Sequence, residues 1–456
     1  MRNKFAFCLA ALLMFTTSAF AQQNMSMEQA RELALINSRS LARYNLAIQS
    51  SLLNEKTNKL NWLKYNITAG ISASVKLWTK EGISADIIRD SLDAGANISL
   101  GSVSVTLFDG GKNAILREIN TISTEQTRLN ALAEYYSVIN SVDSEYYSVL
   151  EAVAALEAAE SSFATATLSL EMAEIRRANG MINDASYLQA LSDMASKETS
   201  RNQSRRNLAL ANLRFRELLG IDYTPVLEPV NIDAHENLIN YLAVIEDADY
   251  YSLFAVFRKE IQTRNPSFVN SALSSEIISK NVTSSQRDYL PTLSASLSLP
   301  GIEYSIRNGF NVLPGGVFSL SASIPLDFRT LSNNAERQRI AQQQSALDYR
   351  SASSTLDINL SVMLLNLISQ AGQILSSRRA LDYAQRHFDQ ALELYRMSRY
   401  SPSELSAAET ILRSNRDTYN SLCYSFLKSL SNIKSAGVFN SDDEIINMIF
   451  SVADKR

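Results

Sequence analysis

The sequence is poor in the residue types that most often build catalytic, metal and disulfide sites. Its 456 residues include two His and two Cys, too few for a zinc site, an iron–sulfur cluster or a disulfide framework. With only 14 Gly and 8 Pro, it cannot be a collagenous or a Gly- and Pro-rich disordered chain. The net charge of −4 lacks the basic excess of a nucleic-acid-binding protein, so no nucleic-acid partner is expected. Hydrophobic residues make up 46% of the chain, which is enough for a large core.

The N-terminal residues have the pattern of an export signal. Arg2 and Lys4 precede an apolar run from Phe5 to Phe15, and Ala19-Phe20-Ala21 matches the small-x-small cleavage pattern. We therefore expect residues 1–21 to be a signal peptide that is removed on export. An uncleaved N-terminal anchor is the alternative, but the apolar run is too short to span a bilayer as a helix.

Two long stretches of the chain lack the residues that end helices. No Gly or Pro occurs between Gly111 and Gly180, and Gly372 is the one such residue between Arg329 and Ser401. Apolar residues recur in both stretches with a period near 3.5, which is typical of a coiled-coil seam. A helix of about 70 residues is roughly 100 Å long. A second helix is expected to follow each long one and run back, so that each half of the chain forms a helical hairpin.

Before each long helical stretch, the apolar pattern changes to the two-residue period of β-strands. Strands are predicted at about 65–78 and 94–108, and again at about 291–301 and 312–326. One face of each strand is apolar, and the other consists mostly of Ser, Thr and Gly. This pattern is typical of a membrane strand that separates lipid from a water-filled lumen. The predicted lipid-facing residues are Ile67, Ile71, Val75, Phe318, Leu320 and Ile324.

A soluble antiparallel sheet with one wet face would give the same pattern on any single strand. Four such strands in an exported chain favour the membrane interpretation. Four strands cannot close a barrel with a useful bore, and lipid does not tolerate an open sheet edge. The chain is therefore expected to oligomerise in order to complete a barrel.

The two halves of the sequence align as an internal repeat. Asp109 matches Asp327, and the same offset of 218 residues places Gly180 on Ser398, where both long helices are expected to turn. A repeated strand–strand–helix–helix unit indicates a gene duplication. The predicted organisation is a first repeat at 22–224 with a helical hairpin at 110–220, an inter-repeat segment at 225–264, a second repeat at 265–436 with a hairpin at 328–435, and a C-terminal tail at 437–456.

Five short motifs, spread over nearly the whole mature chain, point to one family. Ser26–Asn37 is similar to the N-terminal helix motif leu-thr-leu-glu-glu-ala, and Tyr289–Leu293 contains leu-pro-thr-leu at the start of a strand. Leu107–Gly111 reads leu-phe-asp-gly-gly before a long helix. Arg176–Ala190 and Tyr395–Ala408 are similar to the hairpin-tip motif that begins tyr-arg-x-gly. In these motifs the sequence resembles the TolC family of outer-membrane efflux proteins.

The sequence departs from the family pattern at two places in its second half. Ser398 stands where the tip motif has Gly, and Asp327-Phe328-Arg329 lacks the Gly pair that precedes the long helix. The second tip and the start of the second long helix therefore match the family motifs less fully than their counterparts in the first half.

The resemblance implies a fold that is mainly α with a small β part, built from duplicated strand–strand–long-helix hairpin units. It implies a homotrimer with a twelve-stranded outer-membrane β-barrel and a long periplasmic α-helical barrel. Such a protein would be located in the bacterial outer membrane, in contact with its lipid, and would extend into the periplasm. It would passively conduct substrates from an inner-membrane pump, through a periplasmic adaptor (a membrane fusion protein), in tripartite efflux or type I secretion. No enzymatic activity, cofactor or metal is expected.

The alternative function is that of a periplasmic coiled-coil scaffold or adaptor without a pore. Such a protein has no need for lipid-facing strands of about ten residues. The four two-faced strands therefore favour a channel.

The candidate site residues lie at the two hairpin turns. Glu404 and Asp184 are candidates for an acidic ring at the periplasmic aperture, where threefold symmetry would triple each charge. The alternative is that both are helix N-terminal charges, which the helix macrodipole favours. The residues expected to dock the adaptor at the tips are Gly180, Met181, Asn183, Ser398 and Ser401.

Overall fold

A computed structural model describes residues 24–75, 92–305, 309–313 and 316–453 of the chain. For residues 66–75 and 92–100 it describes the backbone alone. The predicted signal peptide at 1–21 lies outside the described residues.

The first half of the chain contains two long helices preceded by a pair of long strands. The 67 residues of the first long helix contain no Gly or Pro, so nothing interrupts its ladder of hydrogen bonds. The 36-residue returning helix ends at Leu219 and is capped by Gly220. In chain order the elements are β1 (Asn24–Met25), α1 (Met27–Asn37), α2 (Arg39–Lys59), β2 (Leu63–Val75), β3 (Leu92–Phe108), α3 (Lys112–Ala178) and α4 (Asp184–Leu219).

The second half repeats this order after a short inter-repeat region of small elements. Its long helix has 69 residues and its returning helix has 36. The elements are β4 (Val226–Leu227), α5 (Glu236–Ala243), α6 (Asp247–Arg264), α7 (Pro266–Gln286), β5 (Thr292–Ser298), β6 (Gly301–Ser305), β7 (Gly309–Leu313), β8 (Val317–Ser323), α8 (Phe328–Arg396), α9 (Pro402–Gly437) and α10 (Asp442–Ala453). The predicted fold class is confirmed: it is mainly α, with a small β part and a duplicated hairpin unit.

Each of the two strands predicted in the second half is divided into two shorter strands. Where one strand was expected at about 291–301, Leu299 and Pro300 separate β5 from β6. Pro300 has no N–H to donate to a neighbouring strand, so the ladder is interrupted there. In place of the strand expected at about 312–326, the structure has β7 and β8, and Ile324 lies just beyond the end of β8.

The strands form one antiparallel sheet that is four strands wide. β2 pairs with β3, β3 pairs with both β5 and β6, β5 pairs with β8, and β6 pairs with β7. Leu63, Val105, Ala295 and Leu320 lie in one row across the four strands. Among the described strands, β2, β7 and β8 each have one partner, so β2 forms one edge of the sheet and β7 and β8 form the opposite edge.

The repeat is reproduced in the backbone at the ends of the returning helices. Gly220 follows α4 in the left-handed region with φ 67°, and Val438, which lies 218 residues later, follows α9 with φ 54°. The N–H group of Ile221 donates to Arg216 O (3.1 Å), and that of Phe439 donates to Lys434 O (3.0 Å). Both helices thus end in the same Schellman-type turn, although one of them uses a β-branched residue where Gly is usual.

The described residues belong to two compact units, and each has its own packing. One unit comprises Met1–Leu41, Ala133–Asn265 and Leu356–Arg456, and the other comprises Ala42–Leu132 and Pro266–Thr355. The largest core lies in the first unit, where α5, α6 and α10 pack on α8 and α9. Its fully buried members include Leu242, Phe257, Leu364, Phe426 and Ile445.

One helix in the described part of the chain, α8, is apolar and long enough to cross a membrane by length and composition alone. Its most apolar 18-residue window has a mean hydropathy of 1.4. Leu360, Leu364 and Leu367 are buried in the core of the first unit. Packing within the chain therefore accounts for part of the apolar character of α8, since 28% of that window is buried.

A buried carboxylate joins four helices of the first unit. Asp143 in α3 is fully buried and accepts hydrogen bonds from Arg31 in α1 at 2.6 and 2.7 Å. Ser431 in α9 donates to the same carboxylate at 2.6 Å. Lys434 lies 3.7 Å from Asp143 and 3.0 Å from Asp442 of α10. Because a buried charge must be paired, this cluster fixes the positions of the chain ends against the long helices.

Candidate functional site

The sheet has one apolar face and one hydroxyl face. In antiparallel strands, directly paired residues share a face. Three apolar pairs join β5 to β8, and the row of Val105 and Leu63 continues the same face onto β3 and β2. On the opposite face, Ser294 pairs with Ser321 and Ser296 with Ser319, and the hydroxyls of Ser294 and Ser321 are 2.8 Å apart. The apolar pairs are Leu293 with Ala322, Ala295 with Leu320, and Leu297 with Phe318.

This chain leaves its apolar sheet face uncovered. Phe318 is 68% exposed and Leu320 is 62% exposed, and the predicted lipid-facing Ile324 is 60% exposed. Exposed apolar patches of this kind mark surfaces that meet another protein or a membrane. The side chains of the other three predicted lipid-facing residues, Ile67, Ile71 and Val75, lie outside the described part of the structure.

The first hairpin tip is a Schellman turn followed by a capped helix. Gly180 has φ 69°, a conformation that favours Gly. Its N–H donates to Arg177 O at 3.0 Å, and the N–H of Met181 donates to Arg176 O at 2.7 Å. Asn183 then caps α4 by accepting a hydrogen bond from the N–H of Ser186 at 2.8 Å.

The second tip repeats these contacts 218 residues later, with different side chains. Ser398 occupies the left-handed position with φ 60°, and its N–H donates to Tyr395 O at 3.0 Å. The N–H of Arg399 donates to Leu394 O at 2.9 Å. Ser401 caps α9 where Asn183 caps α4. The second tip therefore has the geometry of the first, because Ser398 adopts the conformation of Gly at a cost of about 1–2 kcal/mol.

The start of the second long helix does differ from that of the first. Gly110 and Gly111 both have positive φ, and α3 begins at Lys112, after them. In the second half α8 begins at Phe328, directly after Asp327, which caps it by accepting a hydrogen bond from Thr330 N at 3.1 Å. The turn that the Gly pair makes is absent there.

Glu404 closes a capping box at the second tip. Its carboxylate accepts hydrogen bonds from the N–H of Ser401 at 2.7 Å and from the Ser401 hydroxyl at 2.8 Å, and the Glu404 N–H donates to Ser401 Oγ at 3.3 Å. These bonds, the backbone one first, lower the pKa of the fully exposed Glu404 carboxyl from its ordinary value of 4.5. Glu404 is thus ionised, facing solvent, and held in one orientation at the turn.

Asp184 is the first residue of α4 and is the other predicted aperture residue. Its carboxylate lies 2.7 Å from Arg177 Nε of α3, and its side chain is 75% exposed. An exposed pair of this kind contributes little to stability. Arg177 of the same hairpin therefore partly balances the charge of Asp184 at the first tip.

A buried polar cluster that was not predicted from the sequence lies a few turns from the tips. Glu409 in α9 accepts hydrogen bonds from Lys197 in α4 and from the Ser162 hydroxyl in α3. The side chains of Lys197 and Glu409 are only 10% and 7% exposed. Glu409 lies between Leu405 and Leu412 in the buried stripe of α9, and this helical spacing is the signal that could have revealed its burial.

Three further polar contacts join the helices of the two hairpins closer to the tips. The hydroxyl of Ser406 in α9 donates to Asp193 in α4 at 2.7 Å. Arg176 in α3 donates to the backbone carbonyl of Tyr395 in α8, and its guanidinium lies 4.4 Å from the centre of the Tyr395 ring. The Tyr395 hydroxyl donates to Ser169 O at 2.8 Å. The two hairpins are therefore linked to each other by charged and polar side chains just before they turn.

The fold matches solved outer-membrane channels over almost its whole length. The transmembrane channel CusC aligns with a TM-score of 0.70 at 18% identity, covering 93% of this chain and 95% of that one. The Campylobacter jejuni CmeC outer membrane channel aligns with a TM-score of 0.70 at 13% identity, with coverages of 93% and 89%. The open state of the Neisseria gonorrhoeae MtrE outer membrane channel aligns with a TM-score of 0.66 at 13% identity, with coverages of 90% and 88%. At these identities, the alignments establish a shared fold.

Sequence comparison identifies the family. No curated protein sequence matches this chain significantly. The family model described as outer membrane efflux protein matches residues 82–221 and 258–436, which is well over half of the chain. The two matched segments contain both helical hairpins and both tips. The chain therefore belongs to the outer membrane efflux protein family.

Proposed function

We propose that this protein is the passive exit duct of a tripartite efflux or type I secretion system. In this proposal three copies complete a twelve-stranded barrel in the outer membrane, and their long helices line a duct in the periplasm. A periplasmic adaptor passes substrates to this duct from an inner-membrane pump. The duct has no enzymatic step, since the energy for transport is supplied by the pump.

The observation that best supports this proposal is the two-faced sheet joined directly to long helices. An exposed apolar face on one side and a row of Ser hydroxyls on the other suit a wall between lipid and water. The sheet is also incomplete, because β2 and β8 are open edges among the described strands. Since lipid cannot satisfy the N–H and C=O groups of an open edge, the edges must pair with other copies of the chain.

Within this proposal the two tips face the periplasm and receive the adaptor. Gly180 and Met181 at the first tip, and Ser398 at the second, are exposed. A Cβ added at Gly180 would meet no atom within 4 Å, so the backbone of the turn is open to a partner. Asn183 and Ser401 follow the two turns as caps, at positions that a docking helix would reach.

Glu404 and Asp184 are the proposed aperture residues. Three ionised Glu404 carboxylates brought together by trimer symmetry would attract cations and repel anions at the periplasmic mouth. Glu409 does not belong to this ring, because Lys197 and Ser162 already hold its buried carboxylate.

Fractionation of cells that express the protein tests the channel against the pore-free scaffold or adaptor. An exit duct is expected in the outer-membrane fraction, as a detergent-extractable homotrimer. Recovery in the soluble periplasmic extract as a monomer or dimer would contradict the proposal and favour the scaffold.

A further inference from the structure

Three residues in the described strands of the sheet are charged. They are Lys64 in β2, Asp93 in β3 and Glu303 in β6. The other strands of this sheet, β5, β7 and β8, contain no charged residue within their described bounds. A charge is costly on a strand face that meets lipid. The register positions of these three residues therefore indicate what each face of the sheet can contact.

Two of the charged residues share the hydroxyl face of the sheet near its β2 edge. Lys64 pairs with Ser104 of β3, in the row that continues into the Ser pairs of β5 and β8. Asp93 pairs with Ser74 of β2. Because Lys64 and Ser74 are ten residues apart in one strand, and side chains alternate between faces, both lie on the same face. Lys64 and Asp93 therefore both belong to the hydroxyl face.

The third charged residue, Glu303, lies in a row of amide residues on the same face. It pairs with Asn97 of β3 on one side and with Asn311 of β7 on the other. The preceding residue, Ile302, pairs with Ile98 and is 54% exposed on the apolar face. All the charged residues of the described strands are therefore on the hydroxyl face, and the apolar face has none.

The basic residue and the acidic residues lie toward opposite ends of the sheet. Lys64 is near the end at which α2, α3 and α8 join the strands. Asn97, the partner of Glu303, is seven residues from Ser104, the partner of Lys64, which corresponds to roughly 23 Å along β3. Asp93 lies farther along β3 in the same direction. In the proposed duct, Lys64 thus lies toward the periplasm and both acids lie toward the outer exit.

Rings of fixed charge set the ion selectivity of water-filled pores, with acidic rings favouring cations and basic rings favouring anions. Around a lumen shared by three copies, each of these residues would contribute three charges to such a ring. At 0.1 M salt, screening limits the influence of a charge to about 10 Å. The rings of Lys64 and Glu303 would be separated by more than that distance. The two rings therefore act as separate elements and do not cancel each other.

We infer that the barrel is a charge-asymmetric section of the duct, with a basic ring of Lys64 toward the periplasm and acidic rings of Glu303 and Asp93 toward the outer exit. The acidic rings raise the local concentration of cations at the exit, and the basic ring lowers it at the inner end. The inference rests on the proposed function, since it takes the hydroxyl face as the wall of a shared lumen. It assigns ion selectivity to barrel residues, independently of the aperture charge of Glu404.

Reversal potentials of single trimers in a potassium chloride gradient test the inference by the sign of each change. All variants carry Glu404→Gln, so that the tip carboxylate does not contribute to the selectivity. Asp93→Asn combined with Glu303→Gln should lower the ratio of potassium to chloride permeability by about twofold or more at low salt. Lys64→Gln should raise that ratio. Asn311→Gln, in the same row as Glu303, is the matched control and should leave the ratio unchanged because it alters no charge.

Thiol modification gives a second readout within a single recording. Cys423 is the one cysteine among the described residues, and it is buried, so the background reaction should be small. In Glu303→Cys, a sulfonate thiol reagent should restore the cation preference, and a trimethylammonium thiol reagent should lower it further. Ile302→Cys, the neighbouring position on the apolar face, is the control and should respond to neither reagent, because charged reagents do not enter lipid.

A conducting trimer whose ion preference is the same in all these variants would overturn the inference and leave the proposed function intact. Shifts in the same direction from Lys64→Gln and from the paired Asp93→Asn and Glu303→Gln would also overturn it, because the two ends would then not carry opposite effects. Equal responses of Ile302→Cys and Glu303→Cys to the thiol reagents would refute the assignment of the faces. If the wild-type protein conducts no ions, the proposed function itself fails and the inference fails with it.

Discussion

Lys197 and Glu409 form a buried ion pair that joins α4 of the first hairpin to α9 of the second. The Ser162 hydroxyl adds a third helix, α3, to the same carboxylate, and Thr410 Oγ1 accepts a hydrogen bond from Lys197 at 3.1 Å. Replacing one member of such a pair leaves the other charge buried without a partner, whereas replacing both with apolar residues restores a neutral core.

Loss of one member of this pair should destabilise the helical hairpins. Glu409→Leu should cost about 3–5 kcal/mol, seen as a lower midpoint for thermal loss of helical circular dichroism, and Lys197→Met combined with Glu409→Leu should recover most of that loss. Glu393→Gln breaks an exposed pair with Arg396 and serves as the control, with a cost of about 1 kcal/mol or less. Equal effects of Glu409→Leu and Glu393→Gln would show that the buried pair contributes no more to stability than an exposed pair.

The two tips should respond in opposite ways to Gly and Ala substitutions. Ser398 adopts a positive φ, so Ser398→Gly should stabilise the second turn by about 1 kcal/mol or less. Gly180→Ala should destabilise the first turn by about 1 kcal/mol, through its φ and not through a clash, because no atom lies within 4 Å of the added Cβ. Thermal melts of the two variants measure the direction of both changes in stability. A loss of stability in Ser398→Gly would contradict the backbone strain at Ser398.

The capping role of Glu404 predicts a pH dependence with a definite sign. Because its folded-state pKa is lowered from 4.5, Glu404 contributes stability that is present above that ordinary value and is lost as the pH falls through the lower, folded pKa. The stability of the wild-type protein should therefore be independent of pH near pH 7 and should fall in acid. Glu404→Gln should lose less stability in acid, because it lacks this titrating carboxylate. Melting midpoints of the two proteins between about pH 3 and pH 7 provide the measurement. Identical acid profiles would exclude the capping contribution.

The aperture role of Glu404 needs a different readout. If three Glu404 carboxylates meet at the mouth, Glu404→Gln should lower cation preference in planar-bilayer recordings and weaken block by divalent cations. Asp193→Gln is the control, because Asp193 is engaged by Ser406 and lies farther along the returning helix. If cation selectivity and block by divalent cations are unaltered in a Glu404→Gln trimer, Glu404 acts only as a capping residue.

Membrane orientation is testable on β8, where neighbouring residues face opposite sides. Leu320→Arg should cost about 2–4 kcal/mol if Leu320 lies near the middle of the bilayer, so little protein should reach the outer membrane. Ser319→Arg, on the hydroxyl face, should insert normally and change conductance. The measurement is the amount of trimer in outer-membrane fractions. Equal tolerance of the two substitutions would contradict the assignment of the faces.

Docking of the adaptor at the tips is testable in cells. A cysteine at Asn183 or Ser401 should crosslink to a periplasmic adaptor, because both residues directly follow the turns. A cysteine at the exposed Glu160, many turns away along α3, is the control and should not crosslink. Crosslinks from Glu160→Cys and none from the tip positions would place the adaptor elsewhere.

The regular parts of the fold could be predicted from the sequence because they depend on short-range patterns. The stretch without Gly or Pro after Gly111 predicted α3, and the offset that aligns Asp109 with Asp327 also aligns Gly220 with Val438 at the ends of the returning helices. The alternation of Ser with apolar residues in β8 predicted its two faces.

The remaining features depend on contacts between distant parts of the chain. The interruption at Pro300 was visible in the sequence but was included within one predicted strand. Lys197 and Glu409 are 212 residues apart, so nothing local shows that they meet. Glu404 was weighed as an aperture charge and as a helix N-terminal charge. The capping box supports the second role.

Single-channel recording from the purified wild-type protein in a planar lipid bilayer tests the central claim most directly. The account predicts stepwise, voltage-driven ion conductance from a detergent-extracted trimer, without an added pump or energy source. The contrary result is a trimer that inserts into the bilayer but carries no current in either direction. If the current is also absent after Glu404→Gln and Asp184→Asn remove the proposed aperture charges, this protein is not an outer-membrane duct.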